Sequence, residues 1–264
     1  MASLSGKTVL FIGCGNMGSA LALGARSLGL HEAFLYDIDT AKSTALADQD
    51  AGDAVDSISE ASADADAVVL AIKPQQLSSF LSQNAINFTA DQVFISVLAG
   101  TRLSSLAAAL PCKLVRAMPN MPALVDEGMT AVCGADAEAL ELAEELFGCV
   151  GEVVRVEEKA MDAVTAISGS GPAYLFHFAE ALLKAATEQG FDAETAKTLV
   201  YQTLLGASKL LSESDETAEA LRKRVTSPGG TTEAALGVLA EHDFAGIVRS
   251  AVAAAASRAK ELGK

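Results

Sequence analysis

Residues 9–18 read Val-Leu-Phe-Ile-Gly-Cys-Gly-Asn-Met-Gly, an apolar run that ends in the pattern G-x-G-x-x-G. The helix-forming stretch Ser19–Leu23 follows at once. Gly13 permits a tight turn out of a strand, Gly15 leaves room for a pyrophosphate against the backbone, and Gly18 lets the helix pack closely on the sheet. Unpaired N–H groups at the helix start then face the phosphates. The alternative is an ordinary glycine-rich turn, but the strand before it and the helix after it favour a dinucleotide site.

The composition narrows the class of protein. Half of the 264 residues are hydrophobic and 5% are aromatic, a mix typical of parallel strands covered by helices. The net charge of −15 argues against nucleic acid as a partner. No run of about 18 apolar residues occurs, so no membrane span is expected. Residues 1–7 show no signal-peptide pattern and the four cysteines show no C-x-x-C spacing, which predicts a cytoplasmic protein with reduced thiols and no metal site.

Short apolar runs alternate with amphipathic stretches in the first part of the chain, and helical periodicity replaces them after Val156. This pattern predicts an α/β protein, with a Rossmann-type, doubly wound parallel sheet over residues 1–157 and an all-α dimerisation domain over residues 158–264. The predicted strands are Lys7–Ile12, Ala33–Tyr36, Ala67–Ile72, Gln92–Val97, Lys113–Ala117, Thr130–Cys133 and Glu152–Val156. The predicted helices include Asn16–Leu28, Pro74–Gln83, Leu103–Leu110, Ala137–Phe147, Met161–Ser168, Ala173–Gln189, Ala193–Ser212, Glu216–Val225, Gly229–Leu239 and Ala245–Leu262.

Two of the predicted helices, Ala173–Gln189 and Ala193–Ser212, are apolar around most of their circumference. Such helices must be buried on several sides, and about 100 residues offer limited cover. A homodimer with intertwined helices would supply the missing surface. A central helix in a monomeric bundle is the alternative.

An acidic residue follows the second predicted strand. Asp37 lies about 20 residues beyond the glycine motif, where a carboxylate accepts hydrogen bonds from the adenosine ribose. A 2′-phosphate there would meet the charges of Asp37 and Asp39, with Lys42 as the nearest cation. These residues favour NAD(H) over NADP(H), although a solvated aspartate in a loop remains the alternative.

Three further strand ends are expected to line the same crevice, because ligands bind at the carboxyl ends of parallel strands. Lys73 and Pro74 follow one strand, the small residues up to Gly100 follow the next, and Asn120 lies in a proline-stiffened loop after the third. Asn120 is placed to hydrogen-bond a carboxamide. Lys73 could equally be a surface lysine before a helix-starting proline.

The stretch 226–232 reads Thr-Ser-Pro-Gly-Gly-Thr-Thr and opens a predicted helix. Its glycines expose backbone N–H groups and its hydroxyls can cap or donate, which suits a carboxylate. The alternative is a capped helix start with no ligand.

Taken together, these motifs resemble the Δ1-pyrroline-5-carboxylate reductase family. The resemblance rests on residues 11–18, Lys73-Pro74, residues 116–122, residues 168–174 and the turn 227–232, which occur in family order across nearly the whole chain. It implies hydride transfer from NAD(P)H to the imine carbon C5 of 1-pyrroline-5-carboxylate, giving L-proline in the last step of its biosynthesis. It also implies active sites at a dimer interface and is compatible with rings of dimers.

The resemblance also assigns roles to residues. The hydroxyl of Thr232 contacts the ring nitrogen as the catalytic group, and Glu158 contacts the cofactor. The implied substrate-binding residues are Ser227, Gly229, Gly230, Thr231 and Thr232. The implied or predicted cofactor-binding residues are Gly13, Cys14, Gly15, Asn16, Met17, Gly18, Asp37, Ala71, Ile72, Lys73, Pro74, Leu98, Ala99, Gly100, Asn120 and Glu158.

Two positions depart from the family pattern. Many members use NADPH and carry small or hydroxylated residues where this chain has Asp37 and Asp39. Lys223 replaces an acid that often precedes the 227–232 turn, which adds positive charge near an anionic substrate. A reductase of another imine or a hydroxy acid, and a nucleotide sensor without catalysis, are the competing functions.

Overall fold

A mixed β-sheet forms the centre of the N-terminal half in the computed structural model, which describes residues 4–263. Its strands are β1 (Thr8–Ile12), β2 (Glu32–Tyr36), β3 (Asp53–Ala54), β4 (Ala67–Leu70), β5 (Val93–Ser96), β6 (Lys113–Met118), β7 (Gly128–Gly134) and β8 (Gly151–Arg155). Within the described residues they lie in the order β3-β2-β1-β4-β5-β6-β7-β8. All the predicted strands are present, with ends that differ by two residues at most. β3 was not predicted, because two exposed residues carry no periodic pattern.

Helices connect the strands and make up the rest of the chain. Those of the sheet region are α1 (Asn16–Ser27), α2 (Thr40–Ala47), α3 (Ile58–Asp64), α4 (Leu77–Asn84), α5 (Leu103–Ala107) and α6 (Ala137–Gly148). The later ones are α7 (Met161–Val164), α8 (Gly171–Glu188), α9 (Ala193–Glu213), α10 (Ala218–Arg224), α11 (Thr231–Glu241) and α12 (Phe244–Leu262). Short 3-10 segments span Pro74–Gln76, Ala85–Asn87, Met121–Val125 and Glu158–Ala160, and a π-helical turn spans Thr165–Gly169.

The central strands β1, β4 and β5 are buried on both faces, which explains why β1 is apolar without interruption. Val9 and Phe11 belong to the core cluster that includes residues of α1 and α6. Leu10 and Ile12 belong to a second cluster that includes residues of α3 and α4. A parallel strand covered on both sides loses the alternation of apolar and polar residues.

One pair of strands departs from the expected parallel sheet. β7 runs antiparallel to β6, whereas the other adjacent pairs within the described residues are parallel. Residues 119–127 connect β6 to β7 and hold only a 3-10 segment. A parallel crossover needs about a dozen residues or more, usually including a helix, so this connection turns the chain back on itself.

The chain divides into two compact units. The first comprises the described residues through Pro172 together with those from Ala254 onward, and the second spans Ala173–Ala253. The sheet ends at Arg155, near the boundary that the sequence predicts between residues 157 and 158. The first unit continues past that point, because Met161 packs in a buried cluster with Ala131 and Cys133.

Helix α8 has no buried residue within a single chain, although its sequence is strongly apolar. Leu175, Phe176 and Phe178 each expose more than a third of their surface. An exposed apolar helix of this kind is typical of an interaction surface. Among residues 4–263, no helix has both the length and the apolar character needed to cross a bilayer.

Candidate active site

The glycine motif forms the turn between β1 and α1. Gly13 has φ +102°, and its N–H donates to the carbonyl of Tyr36 at 2.8 Å. A Cβ atom on Gly13 would lie 2.6 Å from the carbonyl oxygen of Ala71, and one on Gly18 would lie 1.9 Å from the carbonyl oxygen of Gly13. Gly13 and Gly18 are therefore required by the packing of the turn against the end of β4 and the start of α1.

Gly15 has a different reason to be glycine. Its φ of −79° suits any residue, and no atom lies within 4 Å of the position that its Cβ would occupy. It precedes α1 as the N-cap residue, and no side chain caps that helix end. Backbone N–H groups at an uncapped helix start bind phosphate. The open space at Gly15 fits the pyrophosphate of a dinucleotide.

A cleft of about 580 Å³ opens at the carboxyl ends of β1, β2 and β4. Six predicted cofactor residues line it: Gly13, Gly15, Asp37, Ala71, Ile72 and Lys73. The cleft is also lined by residues that sequence reasoning did not single out, among them Tyr36, Ile38, Gln76, Ser79 and Asn84. Most of these lie on or next to α4, whose sequence carries no motif. Cys14, Asn16 and Pro74 are next to lining residues in the chain, and Met17 and Gly18 lie in the first turn of α1.

The carboxylate of Asp37 is held in place by two backbone groups. Its Oδ2 accepts a hydrogen bond from the Cys14 N–H at 2.8 Å, and its Oδ1 accepts one from the Asp39 N–H at 2.9 Å. Asp37 therefore lines the cleft and also fixes the glycine turn. The second role has no signal in the sequence, because it depends on the approach of β2 to β1.

The four cysteines are free thiols, three of them buried. Burial, reinforced by the charge of Asp37, raises the pKa of the Cys14 thiol to about 12. Burial likewise raises the pKa of each of the other three to about 11. Protonated thiols are poor nucleophiles and poor metal ligands. Within the described part of the chain, no group of three or more His, Cys, Asp or Glu side chains is placed to hold a metal ion.

Two segments with predicted cofactor residues follow the ends of β4 and β5. The backbone N–H of Lys73 donates to the side-chain oxygen of Gln76 at 3.1 Å, and Pro74 begins a 3-10 turn. Leu98 is buried, and Gly100 adopts φ +78° with its Cβ position 3.0 Å from the carbonyl carbon of Leu262. Gly100 therefore packs beside the end of α12, and residues 98–100 lie outside the lining of the cleft.

Glu158 lies in a charge cluster around the buried Arg116. Its Oε1 accepts a hydrogen bond from the Leu103 N–H at 2.6 Å and lies 3.7 Å from the Arg116 guanidinium. Arg116 is 3% exposed, and its other terminal nitrogen lies 3.7 Å from Asp162 Oδ1, outside hydrogen-bond distance. Arg116 thus lies between two carboxylates as their shared cation, and Glu158 ties the segment after β8 to the start of α5. Arg116 has no predicted role.

Asn120 uses both ends of its amide within the protein. Its Oδ1 accepts from the Met129 N–H at 2.8 Å, and its Nδ2 donates to the Ser168 carbonyl at 3.1 Å. One lone pair and one amide hydrogen are left for a ligand. The geometry gives Asn120 a structural role, while its contact with a carboxamide stays a prediction.

The second unit contains the turn that opens α11. Gly229 has φ +69°, which favours glycine, and the Gly230 N–H donates to the Ser227 carbonyl at 3.0 Å. Thr231 and Thr232 form the first turn of α11, with no side-chain cap at Gly230. The N–H of Gly229 donates to the carboxylate of Glu233 at 2.7 Å, a contact that the sequence did not predict.

The comparisons with known proteins agree across the whole chain. The family model described as pyrroline-5-carboxylate reductase dimerisation matches residues 158–262, and one described as NADP oxidoreductase, coenzyme F420-dependent, matches residues 8–100. The pyrroline-5-carboxylate reductase of Pseudomonas aeruginosa is 38% identical over 99% of this chain and 98% of that protein. The Escherichia coli enzyme is 36% identical over 98% of this chain and 99% of that protein.

Solved structures show the same relationship. A pyrroline-5-carboxylate reductase from Coxiella burnetii matches with a TM-score of 0.91 and 34% identity, covering 98% of this chain and 99% of that one. The Plasmodium falciparum pyrroline carboxylate reductase, solved with NADP bound, matches with a TM-score of 0.87 and 30% identity. The match covers 99% of this chain and 100% of that one. The predicted fold class is confirmed, and the chain belongs to the pyrroline-5-carboxylate reductase family.

Proposed function

We propose that this chain reduces 1-pyrroline-5-carboxylate to L-proline with NAD(P)H, in the last step of proline biosynthesis. The observation that carries the proposal is the cleft at the ends of β1, β2 and β4, where the open position at Gly15 lies at an uncapped helix start. A bound nicotinamide cofactor supplies a hydride there. Membership of the reductase family supports the choice of substrate.

The 227–232 turn supplies the groups that the substrate needs. Its backbone N–H groups, from Gly229 into the first turn of α11, bind the substrate carboxylate, which the helix dipole also attracts. The hydroxyl of Thr232 hydrogen-bonds the ring nitrogen and holds the proton in line as C5 accepts the hydride pair. The C=N double bond becomes a single bond, the nitrogen gains the proton, and L-proline is released.

Replacing Thr232 by alanine should lower kcat/KM for 1-pyrroline-5-carboxylate by about a hundredfold. This factor is at the lower end of the rate contribution that a positioned proton-transfer group makes. Thr232→Ser keeps a hydroxyl and should retain most of the activity. The affinity for NAD(P)H should stay the same in both variants, because Thr232 is assigned to the substrate. Steady-state kinetics with each substrate varied gives these values. An equal fall in cofactor affinity would contradict the assignment.

We propose that NADH is the preferred cofactor, although many family members use NADPH. The fixed Asp37 carboxylate in the cleft accepts hydrogen bonds from the ribose hydroxyls of NADH and repels a 2′-phosphate. Lys42, which also lines the cleft, is paired with Asp39 at 3.5 Å. That pairing leaves the local charge unfavourable to a phosphate.

Asp37→Ser is expected to shift the ratio of kcat/KM for NADH to that for NADPH toward NADPH by at least about tenfold, which corresponds to 1.4 kcal/mol. Asp37→Asn is the matched variant, because its carbonyl can still accept from the Cys14 N–H while the charge is gone. The two variants should shift in the same direction. An unchanged ratio in both would remove Asp37 from the cofactor site.

We also propose a cytoplasmic homodimer as the working unit, from which rings of dimers can be built. The apolar residues of α8 that a single chain leaves uncovered support self-association, as does the dimerisation model that matches residues 158–262. The four free thiols fit a reducing compartment.

The function is tested by following NADH and NADPH oxidation with 1-pyrroline-5-carboxylate and with the six-membered-ring imine carboxylate. We expect the five-membered ring to be reduced with the higher kcat/KM. Faster turnover of the larger ring would favour a reductase for a different imine, and no turnover of either would favour a nucleotide-binding protein without this activity.

A further inference from the structure

One carboxylate of the chain already occupies part of the proposed substrate site. Glu233 is the third residue of α11, and its Oε2 accepts a hydrogen bond from the Gly229 N–H at 2.7 Å. That N–H belongs to the turn to which the substrate carboxylate is assigned. An N–H group has one hydrogen to donate, so a strong bond to one carboxylate leaves little for a second.

We propose that Glu233 is a specificity-determining residue that acts as an internal competitor for the substrate carboxylate. This inference rests on the proposed function. To bind, a carboxylate substrate must take the Gly229 N–H from Glu233, and the negative charge of Glu233 must move away from the incoming one. On release of L-proline, Glu233 returns to the same N–H and takes the place of the departing carboxylate.

The surroundings of Glu233 allow this exchange. Glu233 is exposed, and within the described part of the chain no cation forms an ion pair with it. Of the three basic residues in the last turn of α10, Lys223 lies 2.8 Å from Glu219, Arg224 is paired with Glu216, and Arg222 forms no ion pair with Glu233. A displaced Glu233 carboxylate can therefore return to water at low cost. The competition is expected to be moderate and reversible.

The competition should depend on the charge of both partners. Glu233 should weaken the binding of every ligand that carries a carboxylate. These ligands are the substrate and L-proline when it acts as an inhibitor. A cyclic imine without a carboxylate, 1-pyrroline, has no use for the Gly229 N–H and should be unaffected. A residue that only stabilised the start of α11 would change the melting temperature and leave all these ligand affinities the same.

The test compares Glu233→Ala and Glu233→Gln with the parent enzyme, and Glu241→Gln at the other end of α11 is the matched control for charge. Glu233→Ala should lower the KM for 1-pyrroline-5-carboxylate and the inhibition constant of L-proline by about fivefold, the size expected for one ordinary net hydrogen bond at an exposed site. Glu233→Gln, whose amide oxygen is a weaker acceptor, should lower both by about twofold. Glu241→Gln should leave both constants unchanged. In the Glu233 variants, the KM for NAD(P)H and the KM for 1-pyrroline should also stay the same.

The proposal is overturned if the parent enzyme reduces 1-pyrroline-5-carboxylate and both Glu233 variants keep its KM and the inhibition constant of L-proline. It is also overturned if those constants rise, because Glu233 would then assist binding. A parent enzyme that does not reduce 1-pyrroline-5-carboxylate would instead refute the proposed function itself.

Discussion

Gly15→Ala is expected to fold nearly as stably as the parent chain and to lose at least about a hundredfold in affinity for NAD(P)H, because one methyl group then fills the space of a close backbone–pyrophosphate contact. Nothing lies within 4 Å of the Cβ position, and φ is −79°, so the folded chain accepts alanine there. The free energy of unfolding should fall by less than about 1 kcal/mol, the usual difference between residues at an N-cap. Thermal unfolding and a fluorescence titration with NADH measure the two effects separately.

Gly18→Ala is the matched variant, since it adds the same methyl group one turn further along. Its Cβ would lie 1.9 Å from the Gly13 carbonyl oxygen, so the turn and the helix must move apart. We expect a loss of about 3 kcal/mol or more in the free energy of unfolding, at the upper end for overpacking. Normal NADH binding by Gly15→Ala would place the pyrophosphate elsewhere, and a fully stable Gly18→Ala would refute the close packing at Gly18.

Arg116→Met should cost about 3 kcal/mol in the free energy of unfolding, the lower end for breaking a buried ion pair. Arg116 is 3% exposed and lies 3.7 Å from both Glu158 and Asp162. Methionine fills most of the volume but leaves the two carboxylates without a cation. The lower end applies because Glu158 and Asp162 are themselves 36% and 32% exposed and can gain some hydration. Denaturant unfolding at neutral pH measures the change.

Two companion variants identify the cause of that loss. Asp162→Asn removes one carboxylate and keeps the Arg116–Glu158 pair, so it should cost less than Arg116→Met. The double variant Arg116→Met with Asp162→Asn should recover part of the stability, since one uncompensated charge is gone. If Arg116→Met is as stable as the parent, the charge cluster does not stabilise the fold.

The sequence predicted most of the sheet because its signals are local. The apolar run of β1 and the glycines at 13, 15 and 18 have direct physical causes in consecutive residues, and the structure confirms the strand, the turn and α1. The same holds for the switch from alternating elements to helices after β8. Gly15 is informative in another way, because its predicted purpose is space for a ligand and the structure leaves that space open.

The antiparallel direction of β7 follows from the short connection after β6, which the alternation of strands and helices does not reveal. Other features depend on contacts between distant parts of the chain. The bond from the Cys14 N–H to Asp37 joins the ends of two strands and has no pattern in neighbouring residues. Arg116 has no local signal either, because its partners Glu158 and Asp162 approach it only in the folded chain. Periodicity and motifs report which residues form elements, whereas side-chain partners across elements require the structure.

The most direct test of the proposed reaction follows one hydrogen atom. NADH carrying deuterium at C4 of the dihydronicotinamide, on the face from which this enzyme transfers, is incubated with 1-pyrroline-5-carboxylate, and the product is examined by proton NMR and mass spectrometry. We expect L-proline with a single deuterium at C5, the former imine carbon. Cofactor deuterated on either face is tested in turn. Product without deuterium at C5 from both preparations would contradict hydride transfer to the imine.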